Sequence, residues 1–239
     1  MSIDPIAYLD TVAASEPGRA CKERAMELLD LRPVHTMLDL GCGPGTDLPA
    51  MVDRAGRVVG VDRDPVMLAE ARRRAPEAEV LESDLHRLPL EDGSVDRART
   101  DRVLIHVDDP LLVLAEFRRV ARPGGRIVMA EPDWEGLLID TDDPEIGAGY
   151  RRFIVDRVVR NARIGRRLAR LSAAAGLEVR SVEAVAPVFR DFDDAEAILG
   201  LRRNTARAVA AGYLPEGTDL AVTPFQASCL VFLVVAEKA

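Results

Sequence analysis

A chain of 239 residues with 32 Lys and Arg against 40 Asp and Glu carries a formal charge of −8. That excess of carboxylates argues against a general electrostatic grip on nucleic acid, and 48% apolar residues are enough for a sizeable core. Three scattered cysteines, Cys21, Cys42 and Cys229, offer neither a disulfide framework nor a zinc site and fit a reducing cytoplasm.

Met1 to Asp10 lacks a basic stretch followed by an apolar one, so no signal peptide is expected. Cys21 to Leu31 reads as an amphipathic helix, with Ala25, Leu28 and Leu29 on one face, ended by Arg32-Pro33. Thr36 to Leu40 is a short apolar strand. A glycine-rich turn follows, and Thr46 is placed to cap a helix running to about Ala55. Arg57 to Val61 is the next strand. Asp64 is a good N-cap with Pro65 in the first helical position, and that helix ends near Pro76. Glu79 to Glu82 is a third strand. Val95 to Thr100 is a fourth, atypical because Arg97 and Arg99 alternate with small residues. Pro110 to Ala121 is an apolar helix closed by Arg122-Pro123-Gly124-Gly125, and Arg126 to Glu131 is the fifth strand. Strand alternating with helix predicts a parallel sheet covered on both faces.

The pattern then changes. Pro144 to Arg160 and Ile164 to Ala175 read as helices, the second stopped by Gly176. Leu177 to Phe189 is strand-like. Asp193 to Ala211 is helical with Asp193 or Asp194 as cap, and Gln226 to Glu237 is a final β run. The last two β segments would pair to close the sheet. The longest apolar run, Cys229 to Ala236, is too short to span a bilayer, so no membrane association is expected. The expected organisation is one α/β domain over 1–239. Residues 1–34 form a helical cover, 35–133 the cofactor core, and 134–175 and 190–225 the lid or substrate-pocket segments.

Met37 to Gly45 joins a buried strand to a helix through three alternating glycines, whose missing Cβ atoms permit a sharp turn and close approach of a ligand. Asp62 ends the next strand, where its carboxylate suits a ribose diol or the cap of the following helix. A dinucleotide fingerprint, GxGxxG, wants a third glycine three positions after Gly43; Thr46 stands there instead. S-adenosylmethionine (SAM) has no phosphate and does not need that anion seat.

At this point Leu38 to Gly45 resembles motif I of the class I SAM-dependent methyltransferases. Val61-Asp62-Arg63-Asp64 with Met67 resembles the family's ribose and adenine segment, and Ser83-Asp84-Leu85 its adenine-edge segment. Leu88-Pro89-Leu90 with Gly93-Ser94-Val95-Asp96, Asp101 to Val107, and Arg122 to Arg126 follow in the order of the ubiquinone/menaquinone-biosynthesis-type subgroup. Val95 replaces a usual aromatic there, and Arg97 a usual apolar residue. The resemblance covers about residues 22–133. It implies a Rossmann-like, seven-stranded, mostly parallel sheet with helices on both faces and a helical lid. It implies SAM as cofactor, held by Asp39, Gly41, Cys42, Gly43, Gly45, Asp62, Arg63, Met67, Ser83, Asp84, Leu85, Asp101 and Arg102. Tyr8 lies in a segment that folds over SAM in many such proteins.

Methyl transfer from a sulfonium needs an in-line approach, and a general base only when the nucleophile arrives protonated. His106, after strand four at the ligand edge, suits either that base or a structural histidine at a helix start. His35 falls at the opposite edge, and His86 in a surface loop. Asp133 suits the orientation of a substrate group or a cap, and Trp134 a pocket wall or a core anchor. Arg102 suits a carboxylate of SAM or substrate, or an ion pair with Asp101 or Asp133. Arg157 and Asn161 share one face of the lid helix and are candidates for the pocket. No metal site is expected. The expected activity is methylation at O, N or C of a small molecule, a secondary metabolite or quinone-like acceptor, by a cytoplasmic monomer or homodimer. The alternative is a SAM-binding protein of the same fold doing cyclase, decarboxylase or hydroxylase chemistry, because fold does not fix function.

Overall fold

A computed structural model describes residues 4–239. The sheet has the strand order β3-β2-β1-β4-β5-β8-β6, with the short β7 also pairing with β8. Its parallel half is β1 (Thr36–Leu40), β2 (Arg57–Asp62), β3 (Glu79–Glu82), β4 (Val95–Asp101) and β5 (Ala121–Ile139). β8 (Ala227–Glu237) lies antiparallel between β5 and β6 (Glu178–Val185), so the last two long β segments do pair, across an intervening helical connection. β7 is Val188–Phe189. The mostly parallel Rossmann-like sheet expected from sequence is present, with eight strands instead of seven because the two-residue β7 adds to β8.

Alternating side chains of the strands feed two cores. Leu38 and Leu40 of β1 face a core with Val113, Leu114 and Phe117 of α5 (Pro110–Val120) and Leu168 of α7 (Ile164–Ala174). Met37 faces the other, with Leu29 of α2 (Glu16–Leu29), Met51 of α3 (Leu48–Val52) and Leu68 of α4 (Pro65–Arg74). A third cluster sits over the carboxyl edge. It joins Tyr150 and Phe153 of α6 (Pro144–Phe153) to Leu199 of α8 (Phe192–Leu199), Leu201 of α9 (Leu201–Ala210) and Phe225. α1 (Pro5–Ala14) lies against α2 and α8.

Several elements depart from the sequence expectation. β5 does not stop at Glu131 but runs to Ile139, because its far end continues to pair with Ser228 and Ala227 of β8. The first segment expected as a lid therefore begins as sheet. α6 ends at Phe153 and passes into one π-type turn, Ile154–Val158. The helix expected over Asp193 to Ala211 is broken at Gly200, whose φ of 63° is left-handed and easy only for glycine. Its cap is Asp191, which accepts from the N–H groups of Asp193 and Asp194. Thr46 does not cap α3. Asp47 occupies the N-cap without a side-chain cap bond, because its carboxylate pairs with Lys22 and Arg99.

The two arginines of β4 have structural roles. Arg97 donates to the carbonyl of Leu29, and Arg126 of β5 to that of Leu28, so two cations satisfy the C-terminal carbonyls of α2. Arg99 is buried and makes a forked pair with Asp39 at 3.2 Å for both bonds, plus one bond to Asp47 at 2.8 Å.

Candidate active site

The strand order reverses between β1 and β4, and a crevice opens beyond their carboxyl ends, the usual ligand position in this architecture. A cleft of about 1090 Å³ occupies it. On one side its wall includes Gly41, Gly43, Asp62, Arg63, Met67, Ser83, Asp84, Leu85, Asp101 and Arg102. On the other it includes His106, Trp134, Ile154, Val158, Val159, Ile198 and Leu199, with Tyr8 and Leu9 of α1 closing it from above.

The glycine turn has a local cause. Gly41 and Gly43 have φ of 72° and 53°, and a Cβ on Gly41 would stand 2.6 Å from the Val103 side chain. Asp62 fastens this turn: one carboxylate oxygen accepts from Gly43 N at 2.9 Å, the other from Arg63 N and Asp64 N at 2.7 and 3.0 Å. The carboxylate keeps lone-pair capacity toward the cleft. Asp84 accepts from the backbone of His86, which holds its carboxyl below the ordinary aspartate value.

β4 ends in a charge chain. Asp101 accepts from Lys22 of α2 at 2.9 Å and from Arg102 Nε at 3.1 Å. Burial alone would raise its pKa. Arg102, Lys22 and Arg99 instead hold it well below the usual carboxylate range, so it is ionised. Arg102 itself has a left-handed φ of 57°, a costly conformation for a side chain of this size. Its N–H donates to Ala130 O, which turns the chain out of the sheet and into the cleft.

The loop after Arg102 is tied down from β5. The fully buried Glu131 accepts from Val103 N, Leu104 N and Ile105 N at 3.1, 2.9 and 3.3 Å. Burial nevertheless pushes its carboxyl up to about 7. From the other side Asn161 donates to the carbonyls of Leu104 and Val107. His106 projects from this doubly anchored loop into the cleft, and its imidazole has no hydrogen bond among the described residues. Burial, then Arg63 and Arg102, lower its basicity, so it is neutral near pH 7. His86 also reaches the cleft, but both ring nitrogens are engaged, with Asp84 and with Asp109 N.

A model of the methyltransferase domain matches residues 38–129. An uncharacterised 37.1 kDa protein in transposon TN4556 of Streptomyces fradiae is 50% identical over 98% of this chain and 71% of its own length. A demethylmenaquinone methyltransferase of Beutenbergia cavernae is 37% identical over 48% of this chain and 50% of its own. The chain belongs to the class I SAM-dependent methyltransferases. A putative methyltransferase from Bacillus halodurans has the same fold, with a TM-score of 0.71 at 17% identity, covering 90% of this chain and 97% of that one.

SAM is the cofactor of this family, and the cleft fits it. A free carboxylate face at Asp62, a glycine turn open to close approach, and an ionised Asp101 beside Arg102 are groups that complement a ribose diol and an amino-acid end.

Six of the residues expected in the site do not line the cleft. Asp39 lies beneath the turn, neutralised by Arg99. Cys42 is buried against Gly60 of β2, and Gly45 faces α4, where a Cβ would meet Ala71 Cα at 2.8 Å. Their contacts are with the elements beneath the turn. Asp133 is fully buried and takes a forked pair from Arg166, Nε at 2.6 Å and Nη2 at 2.8 Å, so it is not available to a substrate. Asn161 spends its amide on the loop carbonyls. Arg157 is exposed and bonds to Tyr213 Oη. Sequence reasoning also passed over Ile198, Leu199, Arg203 and Asn204. The helix break at Gly200, which brings them to the cleft, was the available signal.

Gly45→Ala gives a clean test of the supporting role. The φ of 73° and the contact with Ala71 are both unfavourable to a Cβ. Expected is a loss of about 2 kcal/mol, read as a fall of about 5 °C in Tm.

Proposed function

We propose that the chain transfers the methyl group of SAM to an O, N or C atom of a small, largely apolar acceptor. One observation carries this reading: a single continuous cleft joins the Asp62–Gly43 side to an apolar wall that carries an unengaged, neutral histidine. Bound SAM supplies the electrophilic methyl sulfonium. The chain supplies position and dryness. Asp62 takes the ribose hydroxyls. Ser83, Asp84 and Leu85 border the adenine, with Asp84 accepting its exocyclic amine. Arg63 and Met67 flank the nucleoside. Trp134, Ile154, Val158 and Val159 form a wall for the acceptor's apolar body. His106 removes the acceptor proton at its free imidazole nitrogen.

Labelled SAM and a panel of phenolic, quinol and enol acceptors test the proposal. S-adenosylhomocysteine released in step with methylated product supports it. Product formed while SAM stays intact would instead favour the cyclase, decarboxylase or hydroxylase alternative. His106→Gln is expected to lower kcat about a hundredfold on a hydroxyl acceptor. In the parent protein the acid limb of kcat/KM lies below the ordinary imidazole range, because burial and two guanidinium groups disfavour the charged ring. A pH-independent, undiminished kcat in the variant would remove His106 from the reaction.

A further inference from the structure

Three guanidinium groups of the cleft keep both terminal nitrogens without a partner among the described residues: Arg63, beside Asp62 at the nucleoside end, and Arg102 and Arg203, farther along it. Arg102 uses only Nε on Asp101, and its two terminal nitrogens have no partner among the described residues. Arg203 lines the opposite, lid side on α9 and has no hydrogen bond or ion pair among the described residues. Its neighbours are committed: Arg202 pairs with Asp193, Arg207 bonds to Asn204, and Arg160 at the rim pairs with Asp108. Arg203 lies over Gly200, where a Cβ would come within 3.3 Å of its terminal nitrogen.

Tyr8 lines the same cleft as Arg102 and Arg203. Its hydroxyl donates to Ile198 O at 3.1 Å, which ties α1 to α8 above the cleft. Burial raises its pKa, and Arg102 and Arg203 both oppose that rise. Both guanidinium groups border the same cleft as this hydroxyl, one from the sheet and one from the lid. The position also suits the length of the cofactor. Asp62 ends β2 and Arg102 follows β4, with β1 between them. Two strand spacings are about 10 Å, on the scale that separates a ribose diol from the far end of an attached amino acid.

We infer that Arg102 and Arg203 form a clamp, one arm on the sheet and one on the lid, for the amino-acid carboxylate of SAM. This rests on the SAM-binding reading above. Arg203 is then a cofactor-binding residue contributed by the lid, and lid closure is favoured by the cofactor itself. Charge-assisted bonds from a guanidinium to a carboxylate are among the stronger polar contacts.

Calorimetry with S-adenosylhomocysteine and with 5′-methylthioadenosine, which lacks the amino-acid end, separates the possibilities. In Arg203→Gln the affinity for S-adenosylhomocysteine is expected to fall about tenfold, while that for methylthioadenosine stays within about twofold. Arg203→Lys should recover part of the loss. Arg203 is exposed on its helix, so an unchanged Tm is the expected control for folding. Equal losses for both ligands, or none for either, overturn the clamp. So does unchanged affinity for S-adenosylhomocysteine with a raised KM for acidic acceptors alone, which would assign Arg203 to the acceptor's anion. If the parent protein binds neither ligand, the SAM reading itself fails.

Discussion

Asp62→Ala is expected to weaken S-adenosylhomocysteine binding by at least about a hundredfold, with the fold intact. Two contributions add. The ribose loses a charged acceptor, and hydrogen bonds to charged groups are worth about 1.5–3 kcal/mol each. The glycine turn also loses its fastening, because Gly43 N, Arg63 N and Asp64 N all end on this carboxylate. The two can be separated. Amide exchange at Gly43 in the ligand-free variant reports the turn, and calorimetry reports the sum. Asp62→Asn retains one acceptor but turns a donor toward these N–H groups, so it too should bind poorly. An Asp62→Ala protein with parental affinity would remove Asp62 from the site and leave the glycine turn as an ordinary strand–helix connection.

The second large effect is on stability. Glu131→Ala leaves three N–H groups of a buried loop without an acceptor, and is expected to cost about 3 kcal/mol, a fall of roughly 10 °C in Tm. The pH dependence carries more information. The ordinary value for this side chain is 4.5 and the folded value about 7. The folded state therefore holds the proton more tightly than the unfolded state. The stabilisation is complete below pH 4.5 and disappears as pH rises through 7, a change of about 3 kcal/mol over that window. Glu131→Gln cannot titrate. Stability of the parent minus that of the Gln variant, followed by urea denaturation from pH 4.5 to 8, should fall with that sign. A difference that is flat or rises with pH would mean that the three N–H donors, not burial, govern this carboxyl.

Much of the core is legible in the sequence. From Thr36 to Glu82, buried strands, a glycine turn, and Asp64-Pro65 at a helix start are local signals, and each element formed within a few residues of its expected limits. The strand–helix order fixed the parallel sheet for the same reason. What could not be read depends on partners distant in sequence. Arg99 and Asp39 look like a misplaced charge and a ligand acid when read singly; together they are a buried ion pair. Asp133 sits at the ligand edge of the sheet, but Arg166 covers it. β5 outran its expected end because pairing with β8, nearly a hundred residues later, extends it. The helical region over the carboxyl edge of the sheet was the least legible. Its helices are held by mutual packing of Tyr150, Phe153, Leu199 and Phe225, and its break at Gly200 depends on one left-handed residue inside an otherwise helical pattern.

The tie between Tyr8 and Ile198 joins positions 190 residues apart. Such a contact has no counterpart during most of synthesis. A nascent chain that has released β1 to β5 has the glycine turn and its Asp62 fastening, yet α1 has nothing above the cleft to meet. The roof cannot close until Ile198 has been released, well after β1 to β5 beneath it. An additional segment fused close to Tyr8 would therefore leave the floor of the site formed and act selectively on its enclosure.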